Sequence, residues 1–194
     1  MICALLLAAG SATRYGDDKL LAARVGGRPL IECSATALVQ GAPQVLAVVR
    51  DLEGPVAERL RSLGVAVVLN PAPTRGLGSS IAVGVAASSH ATGWVVALAD
   101  MPWFTPASVA AVCGALTRGA PLAAPVYRGR RGHPVGFGRS LRAELLALNG
   151  ARGARALLRR HGQGLVPVPV DDPGILADVD TPADLRGGAL DCNQ

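Results

Sequence analysis

Of the nineteen lysines and arginines in this chain, only Lys19 is a lysine. It closes the stretch LLLAAGSATRYGDDK, in which an apolar run gives way to small residues and then to charge. An ammonium is a compact point charge on a flexible stem and can follow a phosphate through a reaction, whereas a guanidinium is a rigid planar fork. A sequence that writes its other basic positions as arginine keeps lysine where that difference counts. Small residues after a strand let backbone N–H groups approach an anion, and Arg14 adds a second positive charge to the same loop. The common phosphate loops do not fit. Five residues separate Gly10 from Gly16, where Walker A has four, and Asp17 and Asp18 precede the lysine. G-x-G-x-x-G is missing after the apolar run, and GLGSSI at 76–81 carries Ile81 where the third glycine belongs. The plain alternative is a tight strand–loop connection with solvated charges.

Carboxylates are the second chemical feature. Asp100 ends the apolar run VVALAD, a position that faces the ligand edge of a parallel sheet. Its two oxygens can hold Mg²⁺ against nucleotide phosphates, or it simply starts a turn before Met101 and Pro102. DVDTPADL supplies Asp178 and Asp180, which a spacing of two on extended chain puts on one face. Here the alternative is a turn at Asp180 with Thr181 as helix cap. GRRGHP at 129–134 is a basic loop carrying His133, and a lone histidine beside proline is more often structural than catalytic. Cys113 and Met101 are expected in the core.

These groups need elements to position them. Strand-like runs at 2–8, 44–50, 65–70 and 94–100 alternate with helical patterns at 29–40, 54–64, 78–90 and 105–116. Pro29 suits a first helical turn, Gly64 a helix end, and Thr105-Pro106 a cap and first position. PLAAPVY, HPVGFG, the helical RSLRAELLAL and ARGARALLRRH, and LVPVPV follow. Such alternation predicts an α/β domain over 1–194, a mostly parallel sheet between two helical layers. Ligands of such sheets sit at the strands' carboxyl ends. Three places qualify: the loop after the first strand, the loop after Asn70, and Asp100.

The totals narrow the partners. Net charge is +5 with a pI near 9.6, which suggests anionic ligands. The arginines are dispersed, with small clusters at Arg128, Arg130 and Arg131 and at Arg152, Arg155, Arg159 and Arg160. Aromatics make up only 3%, so no stacking platform for single-stranded nucleic acid is available, and a small anion fits better. The four cysteines are scattered without a C-x-x-C pair, which indicates neither zinc nor a disulfide framework. No basic n-region precedes the short apolar start, and no run approaches the ~18 residues of a membrane span. A cytoplasmic protein without a membrane or nucleic-acid partner is expected.

Six stretches then carry a resemblance. LAAGSATRYGDDK resembles the L-A-[AG]-G-x-S-x-R-[MF]-G-x-x-K signature of the MobA-like nucleotidyltransferases. LADMP is similar to their G-D-M-P, GLGSSI to their G-[ML]-[SG]-S-S-[IL], and DVDTPADL to their D-[IV]-[DN]-T-P-E-D-L. GHPVGF and NGARGARALLRRH most resemble the molybdenum cofactor cytidylyltransferases. The likeness runs from about Cys3 to Leu185, and the departures (Ala12, Tyr15, Ala99) remove no charged group.

The resemblance implies a Rossmann-like nucleotidyltransferase fold and a Mg²⁺-dependent reaction in which Mn²⁺ can substitute. CMP would pass from CTP to the phosphate of a molybdopterin-type cofactor, with a molybdoenzyme or its maturation chaperone downstream. Leu7, Ala8, Ala9, Gly10, Gly78, Ser79 and Ser80 would bind the nucleotide. Arg14 and Lys19 would hold its phosphates and, with Asp100, carry catalysis. Asp100 and Asp180 would bind the metal, and Arg128, Arg130, Arg131 and His133 the acceptor. Relatives that use guanine tend to have L-A-G-G where this chain has L-A-A-G, so Ala9 points to the smaller base. A guanylyltransferase, a transferase for another phosphorylated acceptor, an NAD(P)-dependent oxidoreductase and a non-catalytic cofactor-binding protein are the alternatives.

Overall fold

The structure is a computed structural model that describes residues 1–10, 19–151 and 153–187. Its first element, β1 (Ile2–Ala8), is buried on both faces. That is why its sequence is a continuous apolar run and not an alternating one. Even-numbered side chains from Ile2 to Ala8 enter one core cluster, and Cys3, Leu5, Leu7 and Ala9 enter another. The period-two geometry of one strand therefore feeds both layers.

Two short strands, β2 (Arg24–Val25) and β3 (Arg28–Pro29), form a separate hairpin after α1 (Lys19–Ala22). Helix α2 (Leu30–Gly41) leads to β4 (Val45–Val49), α3 (Pro55–Ser62) to β5 (Ala66–Leu69), and α4 (Leu77–Ala87) to β6 (Gly93–Leu98). The second half holds α5 (Pro106–Thr117), β7 (Leu122–Tyr127), β8 (Arg130–Arg131) and β9 (Val135–Gly138). It ends with α6 (Arg142–Leu146), α7 (Arg155–Arg160), β10 (Leu165–Pro169) and α8 (Asp184–Gly187).

The main sheet runs β10-β7-β9-β6-β1-β4-β5, with β8 hydrogen-bonded to β7. β1 pairs in parallel with both β4 and β6, β4 with β5, and β7 with β10. Only β9 and β8 run the other way. Helices α2, α3 and α5 cover one face, and α4, α6 and α7 the other. This is the expected three-layer α/β/α fold with a mostly parallel sheet. HPVGF, which patterning leaves unassigned, forms the antiparallel β9 that separates β6 from β7.

Local chemistry explains the element starts. At α5, Thr105 Oγ1 accepts from Ser108 N at 3.3 Å and Pro106 occupies the first turn, as its T-P signature requires. The buried Asp172 reinforces that start by accepting from Thr105 N (2.8 Å) and Ser108 Oγ (2.6 Å). Among the described residues no helix is long and apolar enough to cross a membrane. Cys3, Cys33 and Cys113 are buried, and burial pushes the Cys113 thiol up to about 11.

Candidate active site

β1 and β6 are parallel neighbours, so their carboxyl ends open on the same edge of the sheet. The chain leaving β1 contributes Leu7, Ala8, Ala9 and Gly10 to a cavity of about 380 Å³. The end of β6 contributes Leu98, Ala99 and Asp100, and the first turn of α1 contributes Lys19 and Leu20. The wall opposite is built by Pro73, Thr74, Gly76, Leu77 and Ser80, from the loop after β5 and the start of α4. All three places marked by strand-end logic therefore converge on one cavity.

Lys19 and Asp100 meet there across eighty-one positions of sequence. Lys19 Nζ donates to Asp100 Oδ2 at 2.9 Å and also to the carbonyl of Val179. Asp180 Oδ1 lies 3.8 Å from the same nitrogen. The C-terminal segment is tied in by its own backbone, since Val179 N donates to Asp100 O at 2.9 Å. Val179 is wholly buried beside Trp103 and Leu30, while Asp178 and Asp180 on either side are exposed. This is the two-residue alternation expected of DVD. Partial desolvation of the carboxyl first, and then the neighbouring Asp180, push Asp178 above its ordinary range even though the residue as a whole is exposed.

Asp184 was not foreseen. Its Oδ2 accepts from Asp180 N (2.9 Å), Thr181 N (2.6 Å) and Thr181 Oγ1 (3.0 Å). Those bonds, led by the Thr181 backbone N–H, hold its carboxyl below the ordinary range. The turn presenting Asp180 is thus fixed from its far side, where Thr181 alone was expected as the cap. The signal was present as a carboxylate three residues after the threonine of a T-P step.

Asn70 organises the opposite wall. Buried at the end of β5, it donates through Nδ2 to Ser79 Oγ (2.9 Å) and Ser80 Oγ (3.0 Å) and accepts from Ala72 N (2.9 Å). Ser80 lines the cavity, but Gly78 and Ser79 do not. Gly78 is turned to the 149–151 loop: its N–H donates to Gly150 O at 3.0 Å, and a Cβ there would stand 2.9 Å from Asn149 backbone atoms. Ser79 Oγ is spent on the carbonyls of Gly76 (2.8 Å) and Ala72 (3.2 Å). The glycines of GLGSSI therefore allow a close backbone approach behind the cavity.

The expected acceptor residues divide. Arg128 sits at the β7–β8 turn with φ +47° and its guanidinium 5.0 Å from the Tyr127 ring centre. Arg130 and Arg131 are exposed on β8, and none of the three lines the cavity. His133 does not line it either, but it is less exposed than the arginines. Burial lowers its pKa below the ordinary 6.5, against the opposing pull of the Val96 backbone, Asp100 and Asp178. Among the described residues its buried Nδ1 has no hydrogen-bond partner. Arg14 and Arg152 lie outside the described residues.

Among the described residues no group of three or more His, Cys, Asp or Glu side chains forms a cage for a metal. The carboxylates of Asp100 and Asp180 both face Lys19 Nζ and form an all-oxygen pair. That set suits a hard divalent ion, which keeps waters and takes its other ligands from substrate phosphates.

Residues 4–165 match the model of the MobA-like NTP transferase domain. The chain belongs to that nucleotidyltransferase family. Among curated proteins it is 29% identical over 189 residues to nicotine blue oxidoreductase of Paenarthrobacter nicotinovorans, spanning 93% of this chain and 92% of that one. Among solved structures it resembles Rv0371c of Mycobacterium tuberculosis (26% identity, TM-score 0.80, 96% of this chain and 95% of that one). Rv0371c has also been solved in complex with manganese (TM-score 0.75, 96% of each chain). A nucleotidyl transferase from Methanothermobacter thermautotroptrophicus matches at 25% identity and TM-score 0.80, again over 96% and 95%.

Proposed function

We propose that this MobA-like transferase is a cytoplasmic, metal-dependent cytidylyltransferase that moves CMP from CTP to the phosphate of a molybdopterin-type cofactor. The observation that carries this reading is the meeting of Lys19, Asp100 and Asp180 at the mouth of a cavity floored by small residues after β1. An oxygen of the acceptor phosphate attacks the α-phosphorus of CTP, the bond from that phosphorus to the bridging oxygen breaks, and pyrophosphate leaves. No side-chain nucleophile is required, so positioning and charge neutralisation dominate.

In this scheme Leu7, Ala8, Ala9 and Gly10 let the nucleotide lie against the backbone, with Ser80 opposite and Gly78 and Ser79 supporting that wall. Lys19, with Arg14, holds the triphosphate and steadies the leaving pyrophosphate. Asp100 and Asp180 would hold the divalent ion, Mg²⁺ or Mn²⁺, which supplies charge neutralisation and orientation when bound. Asp184 keeps Asp180 in place. His133, with Arg128, Arg130 and Arg131, contacts the anionic acceptor. A molybdoenzyme or its maturation chaperone would receive the product.

The choice of cytosine rests on Ala9. The Ala9 methyl group crowds a purine more than a pyrimidine, and one methyl group is worth about 1–3 kcal/mol of discrimination. Kinetics with the four nucleoside triphosphates, Mg²⁺ and the cofactor test this reading, with pyrophosphate as the readout. CTP should exceed GTP at least roughly tenfold in kcat/KM. A preference for GTP would reassign the base, and no pyrophosphate with any of the four would end the transferase reading.

The likeness to nicotine blue oxidoreductase favours one second reading, the NAD(P)-dependent oxidoreductase named among the alternatives from the sequence. Against it, the loop after β1 lacks G-x-G-x-x-G, and the cavity mouth concentrates carboxylates beside one ammonium. Loss of NADPH absorbance without pyrophosphate release would favour this alternative.

A further inference from the structure

Resting on Asp100 and Asp180 as the metal-binding carboxylates, we infer that Lys19 occupies those carboxylates in the empty enzyme. The divalent ion then gains them only when nucleotide phosphates draw the ammonium away. Lys19 Nζ has three N–H donors. One bonds Asp100 Oδ2 at 2.9 Å, a second bonds the Val179 carbonyl, and Asp180 Oδ1 stands 3.8 Å from the nitrogen. The Lys19 side chain is only 9% exposed, so its charge is weakly screened. A divalent ion taking the same oxygens would lie beside the ammonium, and like charges a few ångströms apart in a part-buried site repel strongly.

The backbone that carries the acceptors cannot readily yield. Val179 is fully buried and its N–H is bonded to the Asp100 carbonyl, while the Asp180 backbone N–H is bonded to Asp184 Oδ2. The member that can move is the lysine, with its four-carbon stem. Lys19 lines the cavity as well as the carboxylate pair, so a triphosphate entering the cavity offers it a second anionic partner within its reach. Nucleotide and metal therefore bind cooperatively, by reciprocal linkage through one side chain. An arginine would not serve, because its larger fork could not swing between the two partners in so buried a place.

Mn²⁺ binding in the absence of nucleotide, followed by electron paramagnetic resonance, tests this. Wild type should bind Mn²⁺ weakly, and Lys19→Gln and Lys19→Met roughly tenfold tighter or better, since the repelling charge is gone. No gain in either folded variant would overturn the inference. A gain that survives in Lys19→Gln/Asp100→Asn would overturn the metal assignment itself, because the ion would not be on Asp100. Should both single variants misfold, the wild type still decides, because its one lysine gives a single signal after ε-¹³C-lysine labelling. Mg²⁺ alone should leave that signal in place, and a non-hydrolysable CTP analogue with Mg²⁺ should shift it. An equal shift with Mg²⁺ alone would refute the inference.

Discussion

Replacing Gly76 with alanine should destabilise the fold, and the size of the effect follows from two distances and one torsion. Gly76 links the loop after β5 to α4 at φ +89° and ψ −175°, a region essentially closed to residues with a side chain. Holding alanine there costs about 1–3 kcal/mol. The new Cβ would also stand 2.6 Å from both N and Cα of Ala151, so backbone and not a pliable side chain must give way. Overpacking of that kind costs about 1–3 kcal/mol more. The sum, roughly 2–6 kcal/mol, should lower Tm by at least about 4 °C at ~2–4 °C per kcal/mol for a chain of this length. Gly10→Ala is the control: among the described residues nothing lies within 4 Å of its Cβ, so stability should stay within about 0.5 kcal/mol of wild type. Its methyl group should instead raise the nucleotide's KM, since Gly10 lines the cavity. Urea and thermal unfolding followed by circular dichroism measure both. A Gly76→Ala protein as stable as wild type, or a Gly10→Ala protein equally destabilised, would refute the distinction between two cavity-lining glycines of which only Gly76 is packed against described backbone.

Asp184→Ala should release the 180–181 turn, so the Mg²⁺ concentration for half-maximal rate should rise several-fold with the KM for CTP little changed; an unchanged metal requirement would remove its positioning role. His133 is held neutral by burial, so the unfolded chain binds its proton more readily than the folded one. Its share of stability is therefore full above the ordinary 6.5 and is lost as pH falls below it, and His133→Gln should flatten that part of a stability–pH profile. Lys19→Ala should lower turnover by about two orders of magnitude, the scale of losing one electrostatic stabiliser, and Lys19→Arg should not restore it. Single-turnover kinetics check this pair, and near-wild-type rates in Lys19→Arg would show that charge alone suffices.

The chemistry was legible wherever a strand end marked it. Ile2–Ala8 is a strand because a run buried on both faces has no polar alternation to confuse the pattern, and Thr105-Pro106 starts a helix because both residues suit only that place. Lys19 and Asp100 could be nominated separately for the same reason, but their ion pair follows from β1 and β6 being adjacent, which no spacing encodes. The antiparallel β9 was hidden because four residues, two of them glycine, carry too little periodicity. Gly78 and Ser79 were assigned to the nucleotide through the resemblance of GLGSSI to the family motif; a glycine that admits a ligand and one that admits another backbone look alike in sequence, and the structure sets the Asn149 backbone against Gly78.

The same limit bears on the lone lysine. Sequence composition singles it out but cannot show what it touches in the empty enzyme. In the structure it is bound to the very carboxylates assigned to the metal, so its identity answers to two partners and not to one. A residue that served only the triphosphate could be arginine, the role proposed for Arg14. A residue that served only as counter-ion to Asp100 could be arginine too, as Arg59 is for the buried Glu32 at 2.8 Å. Exchanging between a carboxylate pair and a phosphate inside a pocket that leaves 9% of the side chain exposed requires a small charge on a flexible stem. That demand is met by lysine alone among the permanently cationic side chains.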